Sequence, residues 1–258
     1  MKKMVYDLDQ FIDVSILESH HLETCAGIAQ SKTFMSSRVI PHFEMQNNIP
    51  ELIKFKKQEG YRVAQIFDEG ARHLNFEEKR VFAKLTHEQK KRFLQLYKKA
   101  YWDGEYVRVA YPRKEFWTEH DSIFYSDKCE WQENAQHFPG LKKFIASLPF
   151  IDIGRVAFFI TYHYLHSDVH YDRENNVYDG SHHYIWINPF KNKRFFLLDD
   201  DGQKTYVNSK VAIFDGMKLH GSEPADQMTY TLRVDGQLSE EFCQKVGLPW
   251  KQRNGSKN

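Results

Sequence analysis

The chain has 258 residues, 41% of them apolar and 15% aromatic, enough for one large packed domain or a catalytic domain with a helical extension. Lys plus Arg number 36 against 35 Asp plus Glu. A net charge of +1 gives no general electrostatic case for nucleic acid or an anionic membrane as partner. Three cysteines (Cys25, Cys129 and Cys243) stand far apart, which argues against zinc ribbons and CxxC redox chemistry and fits reduced thiols.

The opening MKKMVYDLDQ lacks the apolar run of a secretory signal, and no stretch is long enough to span a bilayer. A soluble cytoplasmic protein is expected. Ile49 to Lys57 reads as a short amphipathic helix that Gly60 can cap. Asn75 with Glu78, and Thr86 with Gln89, have the spacing of capping boxes ahead of Arg80 to Leu85 and of the run KKRFLQLYKKAY. In that run Phe93, Leu96, Tyr97 and Ala100 share a face, and the lysines around them read as a solvated surface.

From about Gly104 the period changes from helix to strand. Tyr106 to Tyr111 alternates and Pro112 ends it. A helix around Leu141 to Leu148 follows. Strand runs are then expected at Arg155 to Leu165, His183 to Asn188, Arg194 to Leu198, Val211 to Phe214 and Thr229 to Val234, with Gly, Asn and Asp clustered between them. Short strands at close spacing suggest a sandwich, barrel or jelly roll, with the helices buttressing the sheet in one structural unit. The divisions are a helical region over 1–103, a core over 104–245 and a tail over 246–258, with Lys251 to Asn258 expected to be disordered.

Thirteen histidines are present, and most lie in segments without a partner pattern. The informative stretch is YHYLHSDVHYD, Tyr162 to Asp172, which holds two His-x-Asp pairs, His166/Asp168 and His170/Asp172. Residues i and i+2 of an extended chain face the same way, so either pair can present imidazole and carboxylate together. One His and one Asp make two-thirds of the facial triad that holds iron(II) with positions left open. His220, in the expected turn after Val211 to Phe214, is the candidate third ligand. The pair His170/Asp172 is preferred, because His166/Asp168 sits nearer the strand interior. His166 then becomes a candidate to orient a ligand.

Arg233 lies inside the apolar strand TYTLRV, and an inward guanidinium there needs a carboxylate. A dicarboxylate that chelates the metal by its other end would meet both needs. Plainer readings are a turn hydrogen bond for His170 and Asp172, and an ion pair of Arg233 with Asp215 or Glu223.

The order HYD, then a distal His in VAIFDGMKLHGSEP, then Arg in TLRVDG resembles the iron(II)/2-oxoglutarate-dependent dioxygenases. With FPGLKKFIASLP and HHYIWIN, the stretch Phe138 to Gly236 is closest in pattern to the aspartyl/asparaginyl β-hydroxylase branch. The resemblance implies an α+β chain with a double-stranded β-helix (jelly-roll, cupin-like) core and the helical N-terminal half packed against it. It also implies that His170, Asp172 and His220 bind Fe(II) and that Arg233 takes the distal carboxylate of 2-oxoglutarate, with His183, Tyr184 and Tyr164 as further cosubstrate contacts. One departure stands out. Where that branch carries an Arg and a His two apart, this chain has Ser181-His182-His183-Tyr184, without Arg.

The reaction implied is hydroxylation of an unactivated C–H bond, with an amino acid, free or in a peptide, as substrate and no nucleic acid. The loop from Arg173 to Gly180 is placed to close over the site. Trp186 and Arg155 are candidates to face the pocket, with core packing and a surface charge as their plainer fates. The alternatives are a cupin-like metal enzyme without 2-oxoglutarate and a metal-free jelly-roll binding module.

Overall fold

The computed structural model of the chain describes residues 3–37, 83–84, 86, 102–117, 119–161, 169, 172, 179–223, 225 and 227–253. Eleven strands are present among them: β1 (Val5–Asp7), β2 (Thr33–Ser37), β3 (Trp102–Pro112), β4 (Cys129–Trp131), β5 (Phe150–Thr161), β6 (His183–Ile187), β7 (Phe195–Leu198), β8 (Lys204–Tyr206), β9 (Val211–Phe214), β10 (His220–Ser222) and β11 (Thr229–Leu238). The α-helices are α1 (Ser15–Ser19), α2 (His21–Gln30), α3 (Leu141–Ala146) and α4 (Glu240–Val246).

The main sheet runs β1-β9-β6-β11-β5-β3-β2, with β4 on β3, and a second sheet runs β10-β7-β8. Every pairing is antiparallel. From β6 onward the chain passes between the sheets: β6 in the main sheet, β7 and β8 in the second, β9 in the main, β10 in the second, and β11 back in the main. This wrapping is jelly-roll-like, as the many short strands imply.

Alternation along the strands builds two apolar layers. Val107, Val109, Val156, Phe158, Ile160, Tyr230, Leu232 and Val234 are buried on the face toward α3, whose Leu141, Phe144 and Ile145 at i, i+3 and i+4 pack there. The opposite face carries an apolar aromatic cluster at its β6 and β9 end. There Trp186 stacks near Phe195 (5.2 Å) and Tyr184 meets Phe214 (5.3 Å). Toward β11, β5 and β3 the same face carries Arg233, Asp235, Arg155 and Arg108. Gly236 permits the close approach of β11 to β5 at a break in their register, since a Cβ there would collide with the carbonyl oxygen of Asp152.

Several expectations need amendment. The first 37 residues supply β1 and β2 as well as two helices, so the N-terminal region contributes strands to the main sheet. The helices expected at 49–57, 80–85 and 90–101 fall outside the described residues, apart from 83–84. The segment 251–253 is not a loose tail. Arg253 is buried and donates to the carbonyls of Ser181 and Phe124 and to Asp152, each at 2.7 Å. Just before it, Ser239 caps α4 by accepting from the Phe242 amide, and Gly247 closes the helix at φ 74°. Among the described residues no helix is long and apolar enough to cross a membrane.

Candidate metal and cosubstrate site

His220 is not in a turn. It is the first residue of β10, held in register with Leu197 of β7, and the turn is the preceding stretch from Asp215 to Leu219. Its ring is 2% exposed and lies between Phe195 (5.4 Å) and Phe214 (5.3 Å), which fix its plane. Nδ1 is 2.8 Å from the Lys218 carbonyl oxygen. A carbonyl only accepts, so Nδ1 carries a hydrogen, and in the neutral form of the ring the lone pair is on Nε2. That bond within the turn is the kind of support that orients a metal-ligating imidazole.

Asp172 is anchored by its amide, which donates to the Gly216 carbonyl at 2.8 Å. The turn that orients His220 therefore also positions Asp172. The carboxylate is mostly buried, and its Oδ2 lies 3.9 Å from His220 Nε2. Two donors on one ion at right angles sit on the order of 3 Å apart, given metal–ligand bonds of about 2.1 Å. Closing the observed gap by about an ångström would let one cation take both. A carboxylate and an imidazole whose Nδ1 is occupied by a carbonyl are donors suited to iron(II), so the residues present fit the ion.

His170 lies outside the described residues, as do Tyr164, His166 and Asp168. Among the described residues no group of three or more His, Cys, Asp or Glu side chains is placed to hold a metal. What the structure does bring together is the pair Asp172 and His220.

Arg233 points inward from β11 and is 7% exposed. Its Nε and Nη2 donate to Asp235 Oδ1 at 2.9 and 2.8 Å, and its Nη1 donates to Asp172 Oδ2 at 2.9 Å. Arg155, on the adjoining β5, donates through Nε to Asp235 Oδ2 at 2.8 Å. Asp235 is fully buried, so two guanidinium groups compensate one desolvated carboxylate. Arg155 is thus a half-buried member of the site rather than a surface charge, and Trp186 packs in the core. Glu223 pairs with Lys204 and Tyr206 instead of Arg233. Asp235 was missed in the sequence. Its signal is the Arg-x-Asp spacing on one strand, which places residues 233 and 235 on the same face.

The two candidates on β6 separate. Tyr184 faces the site, with the Arg233 guanidinium 4.3 Å above its ring centre. Its hydroxyl donates to the Phe214 carbonyl, and burial above all holds the phenol well above its ordinary pKa. His183 points to the other face, which corrects its assignment as a cosubstrate contact. Its Nε2 donates to the Pro249 carbonyl (3.0 Å) and its Nδ1 accepts from the Leu238 amide (3.3 Å). Burial, the largest cause, pushes its pKa down to about 4, so this ring is neutral and structural.

No family model matches the chain, and no curated protein does. Solved structures similar to it include an oxidoreductase of the 2OG-Fe(II) oxygenase family from Burkholderia pseudomallei, at 10% identity over 52% of this chain and 68% of that one, with a TM-score of 0.34. A prolyl-4-hydroxylase from Pseudomonas putida matches at 13% identity over 42% and 69%, with a TM-score of 0.27. A cupin domain from Bordetella pertussis matches at 10% identity over 33% and 80%, with a TM-score of 0.23. At such scores these likenesses bear on neither the chemistry nor the residues of the site.

Proposed function

We propose that this chain is an iron(II)- and 2-oxoglutarate-dependent dioxygenase that hydroxylates an unactivated C–H bond of an amino acid, free or within a peptide or protein, in the cytoplasm. In this reading His170, Asp172 and His220 hold the metal, Arg233 takes the distal carboxylate of 2-oxoglutarate, and Tyr184 and Tyr164 line the cosubstrate site. The observation that carries it is the meeting of His220 Nε2 and Asp172 Oδ2 at 3.9 Å, with Arg233 on the same carboxylate.

The bound ion with its cosubstrate would supply oxidation by dioxygen; the remaining work belongs to the protein. The Lys218 carbonyl holds the hydrogen of the neutral His220 ring on Nδ1, which turns the Nε2 lone pair toward the site. Phe195 and Phe214 exclude water from that ring. Asp235 grips Nε and Nη2 of Arg233 and so aims Nη1 toward the site. Arrival of a cation on Asp172 would weaken its claim on Nη1 and turn the arginine toward a ligand carboxylate.

A second reading has its own observation. Arg233 already rests on two protein carboxylates, Asp172 and Asp235, so its burial does not by itself demand a dicarboxylate ligand. That favours a cupin-like metal enzyme without 2-oxoglutarate, or a metal-free module in which the ion pair is structural. Anaerobic addition of iron(II) and 2-oxoglutarate distinguishes these. The oxygenase gives a weak metal-to-ligand charge-transfer band that His170→Ala abolishes. Bound iron with no band favours the cupin-like enzyme, and no bound iron favours the module.

A further inference from the structure

The turn that holds Asp172 and His220 is itself closed by one residue. Asp215 directly follows β9 and is buried. Its side-chain Oδ1 accepts from the Met217 amide at 3.1 Å, and its own carbonyl accepts from the Lys218 amide at 3.0 Å. The first bond is the Asx turn that an aspartate or asparagine makes with the backbone two residues on. The second is the closing bond of a β-turn.

These two bonds reach the candidate ligands through the backbone. The Met217 amide and the Gly216 carbonyl belong to one peptide unit, which is planar and trans, so they point in opposite directions. Asp215 grips the N–H end of that unit, and the Asp172 amide donates to its carbonyl end at 2.8 Å. A carboxylate on the N–H also polarises the carbonyl and makes it a better acceptor. One residue on, Lys218 gives its amide to the Asp215 carbonyl and offers its own carbonyl to His220 Nδ1. The start of the turn is pinned from both sides. The Asp215 amide donates to the Met4 carbonyl at 3.0 Å beside β1, and the Phe214 amide donates to the Tyr184 hydroxyl of β6 at 3.3 Å. The middle of the turn has weaker means of its own, because Gly216 has no side chain and Met217 is 46% exposed.

We propose that Asp215 is a positioning residue for the metal site: without touching the ion, its carboxylate fixes the turn that sets Asp172 against His220. The effect on metal rests on reading that pair as ligands, and the effect on the turn does not. The Asx bond needs an oxygen at the end of a short side chain and does not need a charge. Asparagine supplies Oδ1 in the same place, whereas glutamate keeps the charge but carries its oxygens one methylene too far.

The test compares the full-length wild type with Asp215→Asn, Asp215→Glu and Asp215→Ala, each checked for folding by circular dichroism. Cobalt(II), whose visible bands report binding, stands in for iron(II). In the metal-free proteins, nitrogen-15 NMR at about pH 8, where imidazoles are neutral, reads which His220 nitrogen carries the hydrogen, and amide exchange is followed at Met217. Asp215→Asn is expected to bind cobalt(II) within about threefold of the wild type, and Asp215→Glu and Asp215→Ala about 10- to 100-fold more weakly, the usual effect of removing a group that supports a ligand. In those two variants the Met217 amide should exchange faster and the His220 hydrogen should no longer be confined to Nδ1. If Asp215→Ala does not fold, the contrast between asparagine and glutamate decides. Equal affinity in all the folded proteins overturns the proposal and leaves the ligand pair standing. A loss in Asp215→Asn as large as in Asp215→Glu overturns it too, because charge and not the turn then governs. The expected changes at Met217 and His220 in a chain that takes up no cobalt(II) would sustain the role in the turn and sink the metal reading.

Discussion

His220 Nε2 and Asp172 Oδ2 face each other at 3.9 Å because one turn holds both: Gly216 accepts from the Asp172 amide, and Lys218 accepts from His220 Nδ1. Their separation is too long for a hydrogen bond and short enough for a shared cation to close. His220→Ala or Asp172→Ala should therefore abolish stoichiometric iron(II) in equilibrium dialysis while leaving the far-ultraviolet circular dichroism unchanged. Retention of one iron per chain in both variants would refute the pairing.

Metal should also stabilise the fold through that pair. At a free concentration about 100 times its dissociation constant, an ion that binds only the native state adds about 2.7 kcal/mol. Nickel(II), which does not oxidise in air, is expected to raise the melting temperature of the wild type. Asp172→Ala should show no such rise, and a chelator should reverse it.

Asp235 is the hub of the arginine cluster, and its loss strands two guanidinium groups. Asp235→Ala is expected to destabilise the chain by about 3–5 kcal/mol, the usual effect of removing one partner of a buried ion pair. A urea midpoint close to the wild-type value would show that water or another residue takes its place.

His183 gives a pH signature. Its pKa is held at about 4 against an ordinary 6.5, so between these values the unfolded chain binds a proton that the folded chain refuses. Stability should fall as pH drops from 6.5 toward 4, by about 3 kcal/mol in total, and level off below. His183→Gln removes that component, leaving a shallower slope of urea stability against pH in that window.

The C-terminal strap carries an expectation of its own. Arg253 ties together Ser181, Phe124 and Asp152, and the Lys251 amide donates to the Gly180 carbonyl. Arg253→Ala should cost about 2–3 kcal/mol, since it leaves a carboxylate and two carbonyls without their donor. Amide exchange should quicken first at residues 179–182. Unchanged exchange there would mean that the strap does not hold this loop.

Much of this was legible before the fold was known. Val211 to Phe214 is a continuous apolar run and was found to the residue. Thr229 to Val234 and His183 to Asn188 were located by β-branched and aromatic residues between turn signals. Weaker signals were lost. Lys204–Tyr206 and His220–Ser222 are three-residue strands whose composition does not differ from a turn, and only pairing with β7 makes them strands. Ser239 and Gly247, by contrast, bracket α4 with readable caps that were passed over.

By itself the sequence determined the strand-rich second half, the candidate ligands Asp172 and His220, and the need of Arg233 for a carboxylate, because residue type, period and desolvation cost are local properties. Tertiary structure alone decided three things: that Asp172 and Asp235 are carboxylates on Arg233, that His183 faces away while Tyr184 faces in, and that Arg108 shares a sheet face with Arg233. Each depends on strand register, which is set by side chains distant in sequence, and a slip of one residue would turn each to the opposite face.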